Sequence, residues 1–127
     1  MTPALPEPLL PMLAVAGQPP VGPGWAFELK WDGVRAIIAA AGDRIRLTSR
    51  NGNDVTLGYP ELDGIGLGGE RRLLLDGELV VLDPTGRPDF GLLQHRMHVR
   101  SPGADLRAAY PVQLNVFDVL EIDGTRL

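Results

Sequence analysis

Apolar and polar positions alternate in short runs from Trp25 onward, and each run is broken by glycine or an Asx turn. This is the pattern of antiparallel strands. Residues 26–32 place Phe27, Leu29 and Trp31 on one face and Glu28, Lys30 and Asp32 on the other. Residues 34–41 form a continuous apolar strand, and Gly42-Asp43 turns it into a strand over 44–49, where Ile45 and Leu47 alternate with Arg44, Arg46 and Thr48. Asn51-Gly52 is the strongest short turn signal. Residues 60–69 suit a short helix, against the interest of Gly64, Gly66, Gly68 and Gly69. Residues 72–76 and 79–83 read as two strand segments joined around Gly77. Asp89 reads as the N-cap of a helix running to about Val99, with Phe90, Leu93 and Met97 on one face. A helical turn over 104–109, a strand over 112–120, a turn at 122–124 and the start of another strand at Thr125 complete the order. Strands in hairpins with one or two helices interposed predict an α+β fold built on antiparallel β-sheets.

Residues 1–24 have a different texture. They hold seven of the twelve prolines, which remove backbone donors and block helix interiors, so they read as an extended arm. Leu9, Leu10, Met12, Leu13 and Val15 give that arm something to bury. The chain has 127 residues, about one domain, and no cysteine, which excludes a disulfide framework and a thiolate zinc site. No apolar run is long enough to span a bilayer and no leader pattern opens the chain, so a cytoplasmic protein with no membrane partner is expected.

The net charge of −4 argues against a nucleic-acid binder held by bulk electrostatics alone. Charge is uneven, however: residues 29–52 carry a net +3 and residues 53–83 a net −5. Of the twelve basic residues, eleven are arginine and one, Lys30, is lysine. Arginine stays charged, whereas lysine can become a neutral amine nucleophile, so a lone lysine in an arginine-rich chain is a candidate for chemistry. Its neighbours support that. Glu28, Lys30 and Asp32 share a strand face, Gly33 permits a bend or a close backbone approach, and Arg35 follows. An amine beside a carboxylate and a guanidinium suits attack on a phosphate. As a purely structural feature, the same pattern would be a solvated strand face whose charges pair with one another.

Lys30-Trp-Asp-Gly-Val-Arg35 resembles the nucleotidyl-attachment motif Lys-x-Asp-Gly-x-Arg of ATP-dependent DNA ligases and their capping-enzyme and RNA-ligase relatives. Three further motifs follow in family order. Ser49-Arg-Asn-Gly52 is similar to the second, whose Arg reaches the nucleotide, and Leu75-Asp-Gly-Glu-Leu79 to the third, whose Glu sits on the ribose or metal side. Val116-Phe-Asp-Val-Leu120 with Asp123-Gly124 is similar to the fourth, whose aromatic ring stacks on the purine. The segment 87–96, with Phe90 and Gln94, resembles the stretch between the last two. The forms are closest to bacterial DNA-repair ligases.

The resemblance covers residues 24–127 and implies a partial nucleotidyltransferase fold, the ATP-grasp-like adenylation domain of DNA ligases. It implies Lys30 as the catalytic nucleophile, Glu28, Arg35, Arg50, Glu78 and Phe117 as nucleotide-binding residues, and Glu78 and Asp32 as candidate metal ligands. The cofactors are then ATP and Mg2+ (or Mn2+), and the partner is a nicked or broken DNA duplex engaged through a full-length parent in DNA repair and recombination. An RNA ligase or guanylyltransferase of the same superfamily, or a non-catalytic remnant, are the alternatives. No lysine follows residue 30 and Glu121 is the only glutamate after Glu78. The later family motifs are therefore absent, and residues 25–127 read as the N-terminal portion of the adenylation domain, without its OB-fold partner, from a truncated gene or a cut fragment. Such a piece is expected to be inactive in sealing by itself and to expose an apolar strand edge near residues 114–120.

Two other features read as structural. His95 and His98 stand three apart, a metal-ligand spacing with no third ligand nearby, and read as surface or packing residues. Arg96 and Arg100 read as a solvated helix face or as contacts to a phosphate backbone.

Overall fold

The computed structural model describes residues 4–11, 22–24 and 32–127. The strand expected over 26–32 lies outside them except for Asp32. The described residues form one five-stranded antiparallel sheet in the order β2-β1-β3-β4-β5. Its strands are β1 (Val34–Gly42), β2 (Arg44–Ser49), β3 (Gly69–Val80), β4 (Gln113–Ile122) and β5 (Thr125–Arg126). β1 and β2 are the expected hairpin, with Ala41 opposite Arg44 and Ala36 opposite Ser49. The Asn51-Gly52 turn closes with a bond from Gly52 N to Ser49 O of 2.9 Å, and Gly52 takes φ +84°.

Both faces of β1 are buried, which is why it reads as a continuous apolar run. Ala36, Ile38 and Ala40 join Ile45, Leu47, Leu75, Leu79, Val81 and Leu93 in the main core. Ile37, Ala39 and Leu74 form a smaller cluster on the opposite face, covered by Leu5 and Leu9 of the proline-rich segment and by Leu120. That segment is held by polar bonds as well: Arg46 Nη2 donates to Pro6 O at 2.8 Å and Arg72 Nε to Ala4 O at 2.6 Å. Proline's lack of donors leaves its carbonyls as the groups through which such an arm can be tied down.

Three local expectations are corrected. Residues 60–69 hold a single 3-10 turn, Pro60–Leu62, because Gly64, Gly66 and Gly69 all take positive φ and wind the chain out of any helix. Residues 72–76 and 79–83 do not form two segments: β3 runs unbroken from Gly69 to Val80 with Gly77 inside it. Gly77 is there for close approach, since an added Cβ would stand 2.7 Å from Asn115 O, at a register irregularity between β3 and β4. The helix begun at Asp89 ends early. Asp89 does cap it, accepting from Leu92 N at 3.1 Å, but α1 spans only Phe90–Leu93. Beyond it the chain tightens into a turn, with Arg96 N bonded to Leu93 O at 2.8 Å and His98 at φ +64°. α2 (Ala104–Ala109) forms as expected.

Gly33 marks the closest approach of the start of β1 to β3: a Cβ there would lie 2.1 Å from Leu79 O and 2.7 Å from a Val80 methyl. Backbone oxygen cannot rotate away as a side chain can. Gly33→Ala should therefore force the two strands apart and destabilise the fold by about 1–3 kcal/mol, read as a lowered urea midpoint.

β4 is paired along its length with β3, but on its other side only Glu121 and Ile122 pair with β5 among the described residues. Val116 and Val119, opposite Gly77 and Leu75, remain 41% and 36% exposed. An open apolar strand edge is a template for pairing between chains. Concentration-dependent self-association by light scattering is the expected behaviour, and Val119→Lys should shift it toward monomer; an unchanged profile would show that this edge is not the contact.

Candidate functional site

One end of the smaller-cluster face is polar where the other is apolar. On β1 the alternation that points Ile37 and Ala39 to this face also brings Arg35 there, and on β3 it brings Asp76 and Glu78 beside Leu74. Arg35 and Glu78 are directly opposite in the β1–β3 register. Arg35 Nε donates to Asp76 Oδ1 at 3.0 Å, and its Nη2 donates to Asp76 Oδ2 in a two-pronged ion pair. The hydrogen bond that Arg35 donates to Asp76 holds Arg35 in its charged form more firmly than usual; burial opposes this, and the nearby charges of Asp76 and Glu78 reinforce it.

Phe117 comes from β4. Gly77 pairs with Val116 and Asp76 with Asp118, so Phe117 falls at the irregularity between them. Phe117 is 40% exposed, and its ring lies under the Arg35 guanidinium, whose carbon is 5.6 Å from the ring centroid. An aromatic in a strand is ordinarily core, and here the bulge keeps it at the surface. Asn115, opposite Glu78, adds a buried Nδ2 with no hydrogen-bond partner. Three strands thus bring a guanidinium, two carboxylates, an aromatic face and an amide to one end of one sheet face. Such a group can clamp an anionic, aromatic ligand, with cation for phosphate, acceptors for hydroxyls and a ring for a base.

The other expected residues sort as follows. Glu28 and Lys30 lie outside the described residues. Arg50 is exposed in the turn immediately after the Ala36–Ser49 pair, at the same end of the hairpin as Arg35. Asp32 is exposed just ahead of β1. His95 is a surface residue whose ring stacks on Tyr110, 4.2 Å between centroids and 6° between planes. Among the described residues no three His, Cys, Asp or Glu side chains gather to hold a metal.

Arg96 contradicts the expected solvated face. It has no exposed surface, and its Nη1 and Nη2 each donate to a Glu61 carboxylate oxygen at 2.7 Å, with further bonds to Gly58 O and Tyr110 O. The guanidinium also lies over the Tyr59 ring at 5.7 Å. The reason is geometric: α1 ends at Leu93, so residue 96 sits on a turn directed into the molecule. Burial opposes the charge on Glu61, but the bonds from Arg96 and Val112 N outweigh it and lower its pKa.

Residues 11–127 match the model of the ATP dependent DNA ligase domain. The chain belongs to the ATP-dependent DNA ligase domain family. It is 41% identical over 122 residues to the multifunctional non-homologous end joining DNA repair protein LigD of Mycobacterium tuberculosis (strain ATCC 25618 / H37Rv), covering 94% of this chain and 15% of the relative. Over 96 residues it is 48% identical to LigD of Pseudomonas aeruginosa, covering 72% of this chain and 11% of the relative. A solved mycobacterial DNA ligase D complexed with ATP and MES superposes with a TM-score of 0.66 at 39% identity, over 79% of this chain and 30% of that one. The ligase-domain chain thus spans a minor part of the relatives it matches.

Two features of this ligase-domain chain went unnoticed in the sequence. Asp76 was visible only as a motif letter, although its spacing of two from Glu78 inside an apolar strand signals a shared face. The Arg96–Glu61 pair gave no local signal, its partners being 35 residues apart.

Proposed function

We propose that this chain builds the nucleotide-binding front of a lysine-adenylating site in an ATP-dependent DNA ligase of the break-repair type. The convergence of Arg35, Asp76, Glu78 and Phe117, drawn from three separate motifs onto one end of one sheet face, carries this reading. The Lys30 amine attacks the α-phosphate of ATP, forming a lysyl–AMP phosphoramidate and releasing pyrophosphate. AMP passes to a DNA 5′-phosphate, and a 3′-hydroxyl then displaces it to seal the strand. In this reading Phe117 stacks on the adenine, Glu78 accepts from the ribose, Arg35 and Arg50 supply positive charge to the phosphates, and Glu28 is a further nucleotide-binding residue.

The metal reading fits a divalent ion brought in on the triphosphate and steadied by one or two carboxylates rather than by a protein cage. Glu78 and Asp32 are the residues that would hold it, and bound Mg2+ or Mn2+ would neutralise phosphate charge. The duplex partner, the repair role and a cytoplasmic location belong to the whole protein. Among the described residues no helix is long and apolar enough to cross a membrane.

The test is covalent labelling. Full-length protein incubated with α-labelled ATP and Mg2+ should carry label on the peptide containing Lys30. Label elsewhere, or from GTP in place of ATP, overturns the assignment.

A further inference from the structure

We propose that Asp76 is a positioning residue for nucleotide binding: it fixes the Arg35 guanidinium over Phe117 so that the cation meets the nucleotide in one orientation. This rests on the functional reading above. Asp76 sits in the interior of a central strand with only 4% of its surface exposed, a costly place for a carboxylate unless its charge is matched. Both of its oxygens are engaged by one guanidinium, through Nε and Nη2. Gripping a planar fork along one edge sets its rotation as well as its place, which a single bond would not. The fixed fork then lies 5.6 Å from the centroid of the exposed Phe117 ring, opposite Glu78 across the strand pair. Without the charge on Asp76, Glu78 is the neighbouring carboxylate toward which Arg35 would turn, and the pairing would take up the residue assigned to the ribose.

Asp76→Asn preserves shape and removes the charge. Calorimetric titration with AMP should show affinity falling about tenfold in Asp76→Asn, and no further fall when Asp76→Asn is added to Arg35→Gln. Equal losses in both backgrounds would mean that Asp76 acts independently of Arg35, and would overturn the proposal. The orientation itself is read without nucleotide from the Arg35 side-chain Nε–H resonance. It should exchange with water at least tenfold more slowly than those of the exposed Arg50 and Arg100, and lose that protection in Asp76→Asn. Should Asp76→Asn not fold, the unsubstituted protein still decides: Arg35 exchange as fast as that of Arg50 and Arg100 overturns the positioning. Failure of the unsubstituted protein to bind AMP or ATP would instead sink the functional reading, while the exchange rate continued to report on whether Asp76 holds Arg35.

Discussion

Lys30→Arg should abolish covalent AMP labelling of the full-length protein while leaving reversible nucleotide binding within a few-fold of normal. The substitution keeps a positive charge on a long flexible stem, so any role as a mere phosphate contact would survive it. A nucleophilic role would not, because a guanidinium stays protonated and does not present a neutral nitrogen lone pair near neutral pH. Removing the nucleophile of a covalent mechanism costs on the order of 10⁴- to 10⁶-fold in rate, far beyond what altered binding alone would produce. Lys30 is the only lysine in this sequence, so a lysine-linked label on a peptide of this stretch has one assignment. Labelling and equilibrium binding are measured side by side on the same preparations. Residual labelling within tenfold of normal would remove Lys30 from the mechanism.

Arg96→Ala is expected to cause the largest loss of stability. Arg96 is fully buried, and it ties the turn after α1 to Gly58 and Glu61 on one side and to Tyr110 on the other. Truncation leaves Glu61, whose side chain is 24% exposed, facing a cavity with no guanidinium. Breaking one side of a buried ion pair typically costs about 3–5 kcal/mol, against a total stability of about 5–15 kcal/mol for a domain. Urea denaturation should show the midpoint falling steeply or no folded baseline at all. Arg96→Lys should recover only part of the loss, since an ammonium cannot match both carboxylate oxygens and two carbonyls in one plane.

The same pair gives a pH signature. The folded-state pKa of Glu61 is lowered, so its contribution is complete above the ordinary glutamate value of 4.5 and is lost as pH falls through the lower folded value. Glu61→Gln should therefore flatten the acid limb of the stability profile. A limb of unchanged steepness would assign the acid sensitivity to other carboxylates; Asp54, held low by Thr56, is one such group.

The strands and their turns were legible because their determinants are local. Two-residue alternation at Ile45 and Leu47, the unbroken apolar run of β1 and the Asn51-Gly52 turn each depend on neighbours within a few positions. The Asp89 cap is equally local. The candidate chemistry was legible as motifs, since a lone lysine in an arginine-rich chain and an acid inside an apolar strand are visible without coordinates. The tertiary structure decided what depended on distant pairing. Gly77 punctuates the sequence like a turn, yet it continues β3 because β4 passes too close for a side chain. The helix expected to reach Val99 stops at Leu93, and the turn that follows carries Arg96 inward to Glu61 and two carbonyls that are remote in sequence. Asp76 and Arg35 stand 41 residues apart and meet only through the β1–β3 register. Sequence by itself determined the β1–β2 hairpin with its turns and marked the candidate residues, whereas only the folded chain decided which charges are buried against one another, because a guanidinium's partner is chosen by strand register and not by spacing along the chain.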